Sequence, residues 1–335
     1  MKKLCVIGCG GIGEYHLGHF VKYDDVDVAG FCDLIPERAA KFVKTAGRGK
    51  AFTDYKRMYD ELNPDMVFIL IPPDRHGEIE YETIRRSIHL FVEKPMAIDI
   101  NLANDINAKI LEKGLISAVG LQCRYDNINV PAKEFVANNK IVAAQGSRIG
   151  GIPSMPWWRV KSQSGGQLVE QTIHQVDMMR YLLGEEVETV FSVARRGIVC
   201  ESEAPGYDMD DVSTTLFTFE SGLVWTLITG CYALNNLCWE SNITLGTRSS
   251  RLEYRLVSDT AIYGEGCCAS EKVTRLIRST GEFGDICDRT FVDAVITGDA
   301  SKIRSPYSDA LKTLALTLAC NESMETGMPV KVKYN

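Results

Sequence analysis

Short, continuous apolar runs punctuate the first third of the chain, and segments of helical period separate them. Leu4-Cys5-Val6-Ile7 and residues 26–32, 51–52, 66–71, 89–92 and 115–119 read as strands. Residues 14–21, 36–44, 55–62 and 102–113 read as helices, with a further helix starting near His76 under an Asp74 cap. Apolar runs without alternation mark strands buried on both faces. Their regular exchange with helices predicts a doubly wound parallel sheet that closes near Gly120. The pattern then changes. A helix over 131–137 and a strand over 141–149 lead into a loop, 150–166, that holds Pro153, Pro156, Trp157, Trp158, Arg159, Gly165 and Gly166. Residues 166–184 read as one helix with Gly184 as its C-cap. Strand-like segments at 190–194, 212–219, 223–229, 242–245 and 251–255 follow with few helices between them, and helices over 285–296 and 308–326 close the chain. The fold class expected is therefore α/β: a parallel-sheet domain over 1–120, then an α+β domain over 121–335 with a large, open, mostly antiparallel sheet. The C-terminal helix is allowed to pack back on the first domain.

Composition narrows the function. With 335 residues, 45% hydrophobic and 24% charged, the chain fits two globular domains rather than a disordered or fibrous protein. A formal net charge of −7 argues against nucleic acid as a partner, because neutralising phosphates needs clustered Lys and Arg. No apolar stretch is long enough for a bilayer, and Met1-Lys2-Lys3 runs straight into the first strand, so a cytoplasmic protein is expected. The 11 cysteines are odd in number, and Cys5 and Cys32 lie within strands; they read as reduced core residues. Neither Cys5/Cys9 nor Cys267-Cys268 has zinc-site spacing, and no metal is expected.

The first strand runs into Gly8-Cys9-Gly10-Gly11-Ile12-Gly13, a G-x-G-x-x-G turn with a strand before and a helix after. Gly8 permits the tight turn, Gly10 lets a pyrophosphate approach the backbone, and Gly13 lets helix and strand pack. The helix N-terminus offers N–H groups to the phosphates. This context identifies a Rossmann dinucleotide site. Asp33 stands 20 residues after Gly13, at the end of the second strand. An acid there suits the ribose hydroxyls of NAD and would repel the 2′-phosphate of NADP, so NAD is expected over NADP. It could also cap the helix begun by Pro36.

Two further stretches carry chemistry. Leu90-Phe91-Val92-Glu93-Lys94-Pro95 is a strand stopped by proline, and Lys94 emerges at the carboxyl end of the sheet, where parallel sheets bind ligands. In the 166–184 segment, Glu170, His174 and Asp177 fall at i, i+4 and i+7, on one helical face.

Taken in order, the glycine turn, the Glu93-Lys94-Pro95 stretch and the G-G-x-L-x-x-x-x-x-H-x-x-D segment resemble the glucose–fructose oxidoreductase / inositol dehydrogenase / rhizopine-catabolism family. The resemblance extends to the ending, from Ala310-Leu311 through Ser323 to Val330. It implies a Rossmann domain and a substrate domain with the nicotinamide between them. It implies hydride transfer between NAD and a hydroxyl or carbonyl of a sugar, sugar derivative or cyclitol. Lys94 corresponds to the family lysine near the reacting hydroxyl and His174 to the family histidine, the better proton acceptor. Glu170 stands where inositol dehydrogenases have aspartate, and either it or Asp177 could orient the imidazole. Cofactor contacts are expected from the glycine turn, Asp33, Arg38, Ile71, Pro72, Pro73, His76, Glu93, Lys94 and Gln122; the Pro72-Pro73-Asp74-Arg75-His76 segment resembles the family's T-P-N-x-x-H but departs from it at Ile71 and at Pro73-Asp74. Substrate contacts are expected from Lys94, Arg124, Trp157, Trp158, Arg159, Glu170 and His174, an aromatic ring being a good cover for a sugar face. Two other classes stay open: a glycosidase that oxidises its substrate transiently with held NAD, and an NAD-binding regulator without chemistry. An open sheet face suggests a homodimer or homotetramer.

Overall fold

A computed structural model of the chain describes residues 1–237, 240–264 and 272–334. They form two compact units, the first comprising Met1–Gln122 with Gly284–Leu311 and the second comprising Cys123–Phe283 with the chain from Lys312 onward.

The first unit alternates β1 (Lys2–Ile7), α1 (Gly11–Phe20), β2 (Val26–Cys32), α2 (Pro36–Ala46), β3 (Lys50–Phe52), α3 (Tyr55–Leu62), β4 (Met66–Ile69), α4 (Glu78–Arg85), β5 (His89–Val92), α5 (Ile100–Glu112) and β6 (Ser117–Val119). All six strands are parallel, in the order β3-β2-β1-β4-β5-β6. The order reverses between β1 and β4, the place where an open α/β sheet forms its ligand crevice. Leu70 donates to the Ile7 carbonyl and Glu93 to the Ile69 carbonyl, so the ends of β1, β4 and β5 lie side by side. The β4 strand stops at Ile69, and a single 3₁₀ turn covers Pro73–Arg75. Asp74 is therefore not a helix cap. The next helix starts after Gly77, whose N–H donates to Glu80 Oε2 at 2.6 Å.

The second unit holds α6 (Asn129–Asn138), β7 (Ala143–Gly151), α7 (Lys161–Ser164), α8 (Gln167–Glu170), α9 (Ile173–Leu183), β8 (Val187–Arg195), β9 (Val212–Phe219), β10 (Val224–Ala233), β11 (Glu240–Gly246), β12 (Arg251–Arg255), β13 (Asp259–Tyr263) and β14 (Val273–Arg278). The chain then runs through α10 (Phe283–Thr297) and α11 (Tyr307–Thr326) to β15 (Val330–Lys331). Among the described residues its nine strands are ordered β14-β13-β12-β11-β7-β10-β9-β8-β15, antiparallel throughout except for the parallel pair β7 and β10. Phe135, Val176, Met179, Leu182 and Leu316 from the helices pack with Phe217, Trp225 and Leu227 from the sheet in one core.

Two differences from the sequence expectation matter. The 121–335 stretch is not one domain, because α10 belongs to the first unit. Phe291 on that helix sets its ring 5.4 Å from Phe68 and 5.8 Å from Phe91, inside the aromatic core under the parallel sheet. And the 166–184 segment is two helices. Thr172 breaks it: its hydroxyl hydrogen-bonds the Thr229 hydroxyl on β10 at 2.5 Å, and its N–H reaches back to Gln167 O rather than Leu168 O.

Seven of the eight described cysteines are buried, and burial pushes the Cys5 and Cys32 thiols up to about 12, which makes them poor nucleophiles. Cys267 and Cys268 lie outside the described residues. Among the described residues no helix is long and apolar enough to cross a membrane.

Candidate active site

The glycine turn is fixed by packing at two positions and left open at the third. Gly8 has φ +97°, and a Cβ there would lie 2.1 Å from the Leu70 carbonyl oxygen. A Cβ on Gly13 would lie 2.5 Å from the Gly8 oxygen and against the Phe42 ring. At Gly10 nothing stands within 4 Å of a Cβ, so there the backbone is open to a ligand. The first intrahelical bond of α1 runs from Glu14 N–H to Gly10 O. The amides of Gly11, Ile12 and Gly13 come before it, which is the arrangement that binds phosphate at a helix N-terminus. Ile12 is exposed beside them and Cys9 is buried beneath, its N–H donating to Asp33 Oδ2 at 2.8 Å. Asp33 Oδ1 accepts from Ile35 N–H at 2.9 Å. Asp33 thus braces the turn instead of capping α2, and each of its oxygens keeps a second lone pair for a ribose hydroxyl. A pyrophosphate over Gly10 and a ribose at Asp33 fit these residues.

The other expected cofactor residues divide. Arg38 is exposed on α2, Ile71 and Pro72 are half-buried, Pro73 is buried, and Gln122 is half-buried with its Oε1 accepting from Tyr15 at 2.8 Å. His76 is buried; its Nδ1 stands 2.5 Å from Glu80 Oε1 and its Nε2 is enclosed as well. Through Glu80 it closes its own turn. Glu93 is also withdrawn, at 5% exposure. Its Oε1 bonds His16 Nε2 at 3.1 Å and its Oε2 accepts the Lys94 amide at 3.0 Å. A Cβ on Gly120 would come within 2.2 Å of Oε1, so only glycine leaves room for this carboxylate. Lys94 follows at the strand end, half-buried, joined to Pro95 by a cis peptide.

In the second unit, His174 lies in the first turn of α9 and is half-buried, with Nδ1 3.7 Å from Cys123 Sγ. Glu170 ends α8 at 5% exposure. Because the helix is broken between them, i, i+4 spacing does not relate the two. Asp177 does not orient His174. Its carboxylate is held by Arg124, Nε to Oδ2 at 2.8 Å and Nη2 to Oδ1 at 2.6 Å, and by the Thr313 hydroxyl at 2.7 Å. Arg124 is accordingly a buried ion-pair partner, 3% exposed, not an accessible substrate contact. Arg159 is spent on its own loop, donating to the carbonyls of Pro153 at 2.6 Å and Ser154 at 3.3 Å. Trp157 and Trp158 stack at 6.2 Å and 18° on the 3₁₀ turn Pro156–Arg159, both half-buried.

Sequence reasoning missed His16 and Asp288. His16 is 3% exposed, and the carboxylates of Asp288 and Glu93 hold its imidazole protonated, up to about 10, against the opposing effect of burial. The available signal was two polar residues, His16 and His19, on the buried side of a helix that opens with the glycine turn.

Comparison with known proteins gives the family and the fold. Residues 2–121 match the family model described as "Oxidoreductase family, NAD-binding Rossmann fold", and residues 139–247 match the "GFO/IDH/MocA C-terminal domain". The chain is 29% identical over 225 residues to the myo-inositol 2-dehydrogenase of Thermotoga maritima, covering 66% of each protein. It is 27% identical over 225 residues to the scyllo-inositol 2-dehydrogenase (NAD(+)) of Bacillus subtilis, covering 66% of this chain and 64% of that one. Those matches span just under two thirds of the relatives' own lengths. A levoglucosan dehydrogenase solved with NADH shares the fold, with a TM-score of 0.84, 19% identity and 99% of both chains covered. With residues 2–121 and 139–247 matched in order, the chain belongs to the GFO/IDH/MocA oxidoreductase family, whose first domain is an NAD-binding Rossmann fold.

Proposed function

We propose that the protein is an NAD-dependent dehydrogenase that exchanges a hydride with a CH–OH carbon of a sugar, sugar derivative or cyclitol. The observation that carries this is Lys94, presented at the carboxyl end of β5 in the unit that holds the open Gly10 turn. When bound, NAD supplies the hydride acceptor at its nicotinamide. The chain's own residues do the rest. The α1 amides and Asp33 hold the phosphates and ribose. The Lys94 ammonium hydrogen-bonds the reacting hydroxyl and stabilises the charge that develops on its oxygen. His174, whose intrinsic pKa lies near neutrality, accepts the proton. The relatives named for inositol oxidation support a polyhydroxylated ring as substrate. NAD is favoured over NADP because Asp33 would oppose a 2′-phosphate.

The second unit's sheet leaves Phe191, Val193, Leu216 and Ile228 exposed on one face. This supports a second copy of the chain as its cover, in a homodimer or homotetramer, which light scattering tests.

The deciding experiment mixes protein and NAD with a panel of cyclitols, aldoses and glycosides. Growth of NADH absorbance is expected. Glycoside cleavage without NADH would establish the glycosidase instead, and NADH binding without any turnover would leave a regulator. On the active substrate, Lys94→Met is expected to lower kcat by at least about 10²-fold while the NADH Kd stays within about threefold. A large loss of NADH affinity with kcat preserved would sink the role given to Lys94.

A further inference from the structure

Behind Lys94 the first unit contains a buried chain of titratable groups. His19 Nδ1 lies 2.6 Å and His16 Nδ1 2.7 Å from the same oxygen, Asp288 Oδ2. His16 Nε2 lies 3.1 Å from Glu93 Oε1, and Glu93 Oε2 accepts the Lys94 amide at 3.0 Å. His16, Asp288 and Glu93 are 3%, 0% and 5% exposed. Both ring nitrogens of His16 face carboxylates, and an ionised carboxylate can only accept. Both nitrogens must therefore donate, and the imidazolium compensates two carboxylates that would be costly to bury unpaired. The rings of Phe20, Phe68 and Phe91 stand 6.1, 5.9 and 5.5 Å from the His16 ring and keep the site dry.

We propose that His16, clamped between Asp288 and Glu93, is a positioning residue for the Lys94 turn. The proposal rests on the catalytic reading of Lys94. His16 touches no reacting atom. It fixes one Glu93 oxygen, which leaves the other aimed at the Lys94 amide, and Gly120 closes the remaining space. The direction in which the Lys94 side chain departs from the sheet is thereby set from α1 and α10. The titratable groups around His16 are Asp288 on α10, Glu93 after β5, and His19 and the edge of the Tyr15 ring on α1. Farther out, Tyr23 bonds Asp285 and lies under Arg289, which pairs with Asp25 and Asp293.

The test uses the full chain and whichever substrate of the panel above produces NADH. His16→Gln is expected to lower kcat about tenfold or more with the NADH Kd within about threefold, since small misplacements of a catalytic group are costly. Asp288→Asn removes one of the two carboxylates. By imidazole NMR it is expected to bring the His16 titration down by about one unit or more. The alkaline limb of the kcat profile should move down with it. If His16→Gln fails to fold, Asp288→Asn and Glu93→Gln carry the test. Wild-type kcat and an unmoved alkaline limb in these variants, with Lys94→Met inactive, would overturn the positioning role and leave the cluster as packing. Turnover surviving Lys94→Met would overturn the reading of Lys94 itself, an outcome that the NMR titration does not depend on.

Discussion

Removing the Asp177 carboxylate separates a structural from a catalytic role for that residue. Asp177 is 1% exposed, and Arg124, at 3%, donates to both of its oxygens. Thr313 adds a third bond and in turn accepts from Arg180 Nη1 at 2.7 Å. Asp177→Leu leaves the Arg124 guanidinium buried without its bidentate partner. Breaking a buried pair from one side typically costs about 3–5 kcal/mol. In a unit of this size that corresponds to a fall in Tm of roughly 10 °C or more. Replacing both members, Asp177→Leu with Arg124→Met, removes the orphaned charge as well and should recover most of the loss. Thermal unfolding by circular dichroism on the two single variants and the double variant gives the coupling, which should be several kcal/mol and favourable. The kcat of Asp177→Leu, measured well below its Tm, should fall by less than about tenfold. An unchanged Tm together with a kcat loss near that of His174→Ala would refute the reasoning and return Asp177 to the chemistry.

Asp33→Ala should narrow the preference of kcat/KM for NAD over NADP; it should also weaken NAD binding, because the Cys9 amide loses its acceptor. Equal use of both cofactors by the wild type would refute this role. The His16 imidazole is raised from 6.5 to about 10, so its contribution to stability is complete below pH 6.5 and is lost as pH rises towards 10. The unfolding free energy from urea titration should therefore fall between about pH 7 and 8.5 with a slope near 1.4 kcal/mol per pH unit, before buried thiols contribute, and Asp288→Asn should flatten the upper part of that slope.

Much of the fold was legible because the elements announce themselves locally. The strands Val26–Cys32, Val212–Phe219 and Arg251–Arg255 and the helix Tyr55–Leu62 stand where the hydrophobic pattern puts them. What escaped depended on distant partners. The β15 strand has two residues and exists through its pairing with β8, and β14 is an edge strand that leaves Val273 and Leu276 exposed. The return of α10 to the first unit is decided by Phe291 meeting Phe68 and Phe91, far back in the chain. The break before α9 follows from a hydroxyl pair 57 residues apart.

The site divides in the same way. The requirements for Gly8 and Gly13 are set by backbone within the parallel-sheet repeat, so a spacing rule finds them. The position of Lys94 follows from a strand that proline must end. The duties of acids are another matter, since a carboxylate goes to the strongest donor that the fold brings near, whatever the helical wheel suggests. Asp177 stands three residues after His174, and the wheel offers it to the imidazole. Arg124 and Thr313, 53 and 136 residues away in sequence, take it instead. A fork-shaped cation giving two short, parallel hydrogen bonds in a dry interior outbids a single imidazole N–H. Glu93 shows the converse. Its place beside Lys94 suggested contact with the cofactor, yet His16 draws it inward, and His16 is charged because Asp288, 272 residues on, stands at its other nitrogen. Carboxylate roles in a fold of this kind thus have to be read from the cations that reach them, and spacing can only nominate the acid.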